Sequence, residues 1–482
     1  MSLALQGTNL STVGVDLYAQ CGRSQFYAPV NEGVNLQICS PIGLVKQVPV
    51  QVRLKPEGGG QLRSGNTQGY RVPKALDYLN EVWLMGTMSP VKYTGPAGSY
   101  ARFRQNWMVY AFHRTLISVQ DLPLLEIDNH IQVFYIQNYI AQHQRENVDL
   151  MMGNSGEFLS KVQGNAPCTP TGAGNPTWAG PVFGSSRPVS MPLAVYSSML
   201  GSSGARLVTG SMLFSEVLIE IELNPIHHIF EVINSECMAS PTVGCVGSVS
   251  QIYQCDGSCP EWTNMAVYAH GAIGTPEEKK ALAKRVYAMP IKTFTMGAAN
   301  ECLDCDITSF PLRLSLATSA IHVGVFNTTE TQYSDVASTI LGGHGVSTTA
   351  KATLYYDSSE RDERDVLLSK MAQVGFSTCP GAADRYTIVF PLSFDMSSAC
   401  FTQATEFARI ANAYVDVRLT NEARLAQNGY DQFGNPIANS VCPVQGGTTP
   451  ATGGVKQKFT CKTAAAVWLP VNYSSGSVSL TI

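Results

Sequence analysis

FSEVLIEIEL, residues 214 to 223, puts Val217, Ile219, Ile221 and Leu223 on one side of an extended chain. Glu216, Glu220 and Glu222 fall on the other side, with Leu218 the one exception. A period of two, with branched aliphatics against acids, describes a strand buried on one face only. The chain writes this pattern a second time in IANAYVDVRL, residues 410 to 419. There Val415, Val417 and Leu419 oppose Asn412, Asp416 and Arg418. Matching Ile219 to Val415 gives a separation of 415 − 219 = 196 residues.

A second pair supports the repeat. VSMPLAV (189–195) and IVFPLSF (388–394) share an apolar–Pro–Leu centre, with Pro192 and Pro391 separated by 391 − 192 = 199 residues. In each half the Pro–Leu strand precedes the acidic or polar one. Two matches in one order and at nearly one spacing point to an internally duplicated β-sandwich.

Composition agrees with that class. The 482 residues admit two or three domains. Gly 42 and Pro 26 fit a turn-rich β protein. Only 14% of residues are charged, against roughly 25% in ordinary soluble domains. A second reading of the low charge is that much of the surface is covered by other subunits, because interfaces are depleted in Lys, Glu and Asp. The net charge of −4 and the lack of a dense Lys/Arg run argue against direct binding of nucleic acid. The first twenty residues carry no secretory pattern, and no window approaches a membrane span. The 13 cysteines are therefore expected to be mostly reduced, and the sequons at Asn9, Asn327 and Asn472 carry little weight.

Along the chain, residues 1–30 read as an arm. Pro49 marks an edge strand or a strand start. Ile131 to Met152 reads as a helix, since it lacks Gly and Pro and spaces Tyr135, Tyr139 and Ile140 helically. Residues 153–188 form a long Gly/Pro-rich loop. Residues 233–275 look like a linker with inserted loops. Thr275 to Met289 is a capped helix with Thr at the N-cap and Pro at its first position. Alternation resumes at Leu312, and Ile321, Val323 and Val325 interleave with His322 and Gly324.

Several stretches together resemble the double jelly-roll major capsid proteins of nucleocytoplasmic large DNA viruses, of the iridovirus and chlorovirus kind. They are VPKALDYLNEVWLMGTM (72–88), the run from Arg102 to Tyr139, PLAVYSSM, and FSEVLIEIELNPIHHIF in the first half. ATLYYDSSERD, YTIVFPLSF, ARIANAYVDVRL and AVWLPVNYSSGSVSL follow in the family's order. SSACFTQATEFARI departs from the family's Pro-Ser-Gly turn, and the Cys-bearing insertion at 237–259 has no counterpart. The resemblance implies an all-β chain of two consecutive eight-stranded antiparallel jelly rolls with a few short helices and long loops. The expected division is an arm at 1–30, a first roll at 31–232, a linker at 233–250 and a second roll at 251–482.

It also implies a virion protein that forms homotrimeric, pseudo-hexagonal capsomers beside minor capsid proteins, over an inner membrane that it does not span. The loops 153–188 and 327–350 would be tower or rim elements. A carbohydrate-binding jelly roll and a minor capsid or vertex protein are the alternatives.

Candidate chemistry is sparse. Cys255, Cys259, Cys302 and Cys305 could offer zinc four thiolates, but 43 residues separate Cys259 from Cys302, wider than a compact zinc ribbon. Ordinary thiols are the favoured reading, with zinc and disulfide formation as alternatives. His227 and His228, adjacent in an extended strand, would point to opposite faces and could not chelate one ion. Glu220 and Glu222 lie about 7 Å apart on one strand face, within range of an acid–base pair; an exposed face of solvated acids is the plainer reading. No catalytic, cofactor or metal site is expected.

Overall fold

The computed structural model describes residues 48–87, 91–93, 99–103, 107–120, 122–139, 188–193, 207–234, 252–254, 258–284, 287–301, 307–327, 340–341, 346–366, 387–393, 404–429, 458–474 and 476–480, with isolated positions between. Sixteen strands carry the architecture. The first eight are β1 (Val48–Arg53), β2 (Thr67–Arg71), β3 (Tyr78–Thr87), β4 (Phe112–Val119), β5 (Leu122–Asp128), β6 (Pro188–Leu193), β7 (Val217–Leu223) and β8 (Ala266–Ile273). The second eight are β9 (Tyr287–Glu301), β10 (Ile307–Pro311), β11 (Ala317–Asn327), β12 (Thr349–Tyr356), β13 (Ser359–Asp365), β14 (Ile388–Pro391), β15 (Ala413–Leu419) and β16 (Phe459–Ser474).

Their pairing is the jelly-roll pattern, made twice. Sheet one runs β1-β8-β3-β6 and sheet two runs β2-β7-β4-β5. Sheet three runs β9-β16-β11-β14 and sheet four runs β10-β15-β12-β13. Adding eight to any strand number in the first roll gives the strand in the same place in the second. Every ladder in these four rows is antiparallel. The quoted stretch becomes β7, whose burial alternates over its whole length with Val217, Ile219, Ile221 and Leu223 inside. Its twin β15 buries Val415, Val417 and Leu419. Both stand second in their sheets, between the equivalents β2 and β4 or β10 and β12. Pro49 lies in β1, an edge strand.

Register extends the duplication beyond the two pairs visible in the sequence. Trp83 pairs with Pro192, and Ala320 with Pro391. Strand β3 therefore maps onto β11 with an offset of 320 − 83 = 237. Ile117 and Leu354 oppose Ile219 and Val415, again 354 − 117 = 237. The offset falls to 196–199 after the fifth strand because the β5–β6 connection is longer than the β13–β14 connection. The β4–β5 and β12–β13 turns also match. Each is tight, with left-handed residues at Gln120 (φ 49°) in the first and at Asp357 (φ 48°) and Ser358 (φ 69°) in the second.

Four expectations need correction. Residues 266–273 are not part of a second roll beginning at 251; as β8 they sit between β1 and β3 in sheet one. Without β8 the facing ladders of β1 and β3 would have no partner, so the first roll closes only after the expected linker. The arm at 1–30, the linker at 233–250 apart from Ile233 and Asn234, and the loop 153–187 lie outside the described residues. The first expected helix is α2 (Asn129–Asn138), which ends with Tyr139 N–H donating to Tyr135 O; of the expected remainder up to Met152, Asn147 and Met151 are helical and the other positions lie outside the described residues. The capped helix α3 is Pro276–Lys284; Tyr287 to Met289 instead join β9, where they pair with Tyr473, Asn472 and Val471. His227 and His228 occupy a 3-10 turn, Ile226–Ile229, not a strand. Two further helices are α1 (Trp107–Ala111) and α4 (Asn421–Gln427).

The second roll has its own interior, built on Phe310, Val323, Val325, Leu354, Phe390 and Val417. A larger cluster fills the first roll and continues across the seam to Phe294, Phe326, Ala464 and Tyr473. Gly271 sits at a bulge between β8 and β3, where an added Cβ would stand 1.9 Å from the backbone oxygen of Tyr78. Backbone cannot yield as a flexible side chain can. Gly271→Ala is expected to destabilise the chain by roughly 1–3 kcal/mol, seen as a lower denaturant midpoint at unchanged slope; an unchanged midpoint would refute the close approach.

Candidate functional site

The seam between the rolls is where buried polar chemistry concentrates. Helix α2 opens at Asp128, whose carboxylate accepts the Ile131 backbone N–H at 2.9 Å and meets His130 Nδ1 at 3.1 Å. Burial alone would raise this carboxyl; the hydrogen bond and charge of His130, the Ile131 amide and Lys462 outweigh it and hold the group below its usual range. Ile131, Phe134, Tyr135, Ile136 and Tyr139 are all fully buried. The polar Gln132 and Asn138 of α2 are buried as well, so the helix needs cover on every side; the first roll supplies part of it and the second roll the rest.

The second roll's cover is the outer face of sheet three. Phe326 meets Phe134 edge-on at 5.9 Å and His130 at 4.5 Å. Phe294 meets Tyr139 edge-on at 5.1 Å and Tyr135 at 6.1 Å. Edge-to-face packing at these separations suits the ring quadrupoles. Gly324 lets the helix come close, since a Cβ there would lie 3.1 Å from the Phe134 ring.

His322 projects from β11 into this contact. Its Nε2 lies 3.0 Å from the Tyr139 hydroxyl and its Nδ1 3.4 Å from the Asn138 amide nitrogen. The amide can only donate, so Nδ1 accepts and the ring proton sits on Nε2, donating to Tyr139. Burial, and then the Lys292 ammonium, push the imidazole down to about 3. Lys292 is itself buried, with its ammonium 5.3 Å from the centre of the Tyr139 ring and 5.7 Å from that of Trp468. The two ring faces attract the cation where water does not reach.

Two further contacts lock the rolls. The Val208 backbone N–H donates to the Tyr473 hydroxyl at 3.1 Å, and Phe214 N–H donates to Gly476 O at 3.0 Å. Asp77, almost fully buried, accepts from Gly274 N–H at 2.7 Å and pairs with Lys279 of α3 at 3.2 Å. The connecting helix is thereby pinned to the first roll.

Those residues singled out from the sequence that the structure describes lie elsewhere and do not converge. Glu222 pairs with Arg114 at 2.7 Å, and Arg114 also reaches Glu126 at 3.1 Å. Glu216 pairs with Arg71, which also holds Glu57. Glu220 faces Gly69 and Leu116 across the ladders. Glu216 and Glu222 belong to ion-pair groups on the outer wall of sheet two, and Glu220 stands between them on the same face. His227 is half-buried, which lowers its imidazole. Cys259 is exposed, while Cys255, Cys302 and Cys305 lie outside the described residues. Among the described residues no three His, Cys, Asp or Glu side chains gather as metal ligands. Asn327 ends β11, Asn472 is half-buried within β16, and Asn9 lies outside the described residues. Sequence reasoning missed His322, Lys292 and Tyr139 as a group. The only signal available was a histidine on the polar side of an alternating strand.

The acid sensitivity of the seam follows from His322. In the unfolded chain an imidazole titrates near 6.5; above that pH both states are neutral and the stabilisation is complete. Below it the unfolded chain takes a proton that the folded chain refuses, costing about 1.4 kcal/mol per pH unit until about 3. Asp128 adds its loss only below its unfolded range. Chemical denaturation between pH 7 and 4 should show this slope, and His322→Gln should flatten most of it. An unchanged slope in the variant would place the sensitivity elsewhere.

No protein-family model matches the chain. The major capsid protein of Tipula iridescent virus is 23% identical over 289 residues, 59% of this chain and 57% of that protein. The major capsid protein of Simulium iridescent virus is 23% identical over 287 residues, 59% of this chain and 56% of its own length. The chain thus spans just over half the length of these curated relatives. Among solved structures, VP54 of PBCV-1 matches with a TM-score of 0.61 at 11% identity, covering 91% of this chain and 97% of that one. The Faustovirus major capsid protein matches with a TM-score of 0.59 at 10% identity, covering 98% and 100%. In fold and in sequence, then, this chain is similar to the double jelly-roll major capsid proteins of large DNA viruses.

Proposed function

We propose that the chain is the major capsid protein of an icosahedral large DNA virus, a structural shell subunit and not an enzyme. What carries the reading is the repeated strand order: two equivalent rolls held as one body by a dry seam, with a sequence likeness to two proteins named major capsid proteins. A rigid pair of like rolls is a building block that can present similar sides to its neighbours, which a shell requires. Its low charge suits a subunit whose walls are covered.

On this reading three copies make a pseudo-hexagonal capsomer of six rolls, located in the virion shell. Its partners are neighbouring capsomers and minor capsid proteins, with an inner membrane beneath. Among the described residues no helix is long and apolar enough to cross that membrane. No direct contact with nucleic acid is assigned. Sedimentation of the purified chain should give a mass near three times 51.9 kDa that persists at micromolar concentration. A stable monomer there would count against the capsomer, and glycan-array binding by that monomer would favour a carbohydrate-binding role.

A further inference from the structure

Strand direction gathers five passages of chain at one end of the first roll. They are the start of β1, the β2–β3 connection, the β4–β5 turn, the approach to β7, and the exit from β8 into α3. Val72 N–H donates to Val217 O at 3.0 Å, and Gln120 N–H to Glu216 O at 3.2 Å, so three of them are tied directly. Val48 opens β1 opposite Ile273, the last residue of β8. Lys279 of α3 reaches Asp77 of the β2–β3 connection.

Five large apolar side chains are exposed among the described residues, and Val48, Leu213 and Phe214 lie at this end. Phe214 is the most open, at 73%. Its backbone is anchored all the same. Phe214 N–H donates to Gly476 O, Phe214 O accepts from Gln120 Nε2, and Leu213 O accepts from Lys74 Nζ, each at 3.0 Å. Three neighbouring passages thus fix the main chain while both side chains stand out in water. The second roll serves as a control. At the offset that pairs β7 with β15, Leu213 and Phe214 match Arg409 and Ile410. There the arginine is exposed, and the isoleucine is half-buried against the second roll's core. The fold does not require an apolar tip.

Basic groups stand at the same end. Lys74 is exposed, and so are Lys280 and Lys284, four residues apart on one face of α3. The helix's own acids, Glu277 and Glu278, fall in its first turn. Glu216, next to the tip, is engaged by Arg71 at 2.7 Å and lies 4.0 Å from Lys74.

The geometry points to this end of the first roll resting on an anionic lipid bilayer, with Leu213 and Phe214 entering the headgroup region and Lys280 and Lys284 facing lipid phosphates. This names a partner for the shell subunit and takes from that reading the presence of a membrane beneath it. The apolar pair gains by leaving water, and the ammonium groups gain from the negative surface potential. Each contact is weak alone, and linked copies add theirs without any new interaction.

The test is sedimentation of the full chain with sucrose-loaded vesicles. Wild-type protein should pellet with vesicles of mixed phosphatidylcholine and phosphatidylserine, far less with phosphatidylcholine alone, and less at high salt. Leu213→Ser combined with Phe214→Ser should weaken pelleting roughly tenfold or more. Lys280→Glu with Lys284→Glu should remove the preference for phosphatidylserine. All four positions are exposed, so the circular dichroism spectra should stay native. Wild-type protein that forms the trimer yet pellets with neither vesicle would overturn the bilayer contact and leave the shell reading standing. Variants that pellet as the wild type does would also overturn it, and failure of the serine variant to assemble would then assign the tip to a protein partner. Vesicle binding with these losses by a chain that stays monomeric would support the bilayer contact and count against the capsomer.

Discussion

The joint that makes this chain one body rests first on burying α2. The helix has no exposed face among its described side chains: Ile131, Phe134, Tyr135, Ile136 and Tyr139 are buried, and so are the polar Gln132 and Asn138. One roll offers only one side of cover, so the helix is stable only when a second sheet closes over it. Burying a large apolar or aromatic side chain contributes on the order of 1.5–3 kcal/mol, and five such side chains make this joint far stronger than a surface contact. The helix opens the β5–β6 connection, whose greater length than the β13–β14 connection accounts for the break in the repeat offset from 237 to under 200.

Charge is distributed in the opposite way. The outer wall of sheet two carries Arg71, Arg114, Glu57, Glu126, Glu216 and Glu222 in partly exposed pairs, each worth little in free energy. The edge strand β13 reads SERDERD, and Lys351 reaches across to its Glu363 at 2.8 Å. Charged edges discourage indiscriminate strand pairing between copies. Glu216 and Glu222 of FSEVLIEIEL join these pairs, and the alternation of acids with aliphatics reflects a wall wet on one side and dry on the other.

The sequence displayed whatever was local. Strands β7 and β15 were legible because alternation over seven residues is strong, and β6 and β14 because Pro–Leu punctuates both. Strand β8 was not. AVYAHGAI is rich in small residues, and its partners β1 and β3 lie about 200 residues earlier, so nothing near it shows that it is central. The end of α3 was misjudged because YAMP reads equally well as helix or strand, and pairing with the last long strand decides. His322 looked like one polar position in an amphipathic strand. Its burial depends on Asn138 and Tyr139, more than 180 residues away, and no periodicity reports a contact of that range.

Those two contacts also explain why a histidine can stand in a dry seam at all. An apolar helix on an apolar sheet could rest at several registers of similar energy. An unpaired buried polar group costs about 1–3 kcal/mol, so His322 penalises every register that leaves a ring nitrogen without a partner. Asn138 and Tyr139 are adjacent on the last turn of α2, and they reach opposite nitrogens of the ring. A slide by one turn would lose both at once. Lys292 sharpens the constraint, because its ammonium is held over the Tyr139 ring and a slide of the helix would take that ring away. The apolar side chains therefore supply the strength of the joint, and the buried polar ones fix where it forms. A building block needs both, since a subunit whose rolls slid against each other could not present a constant outline to its neighbours.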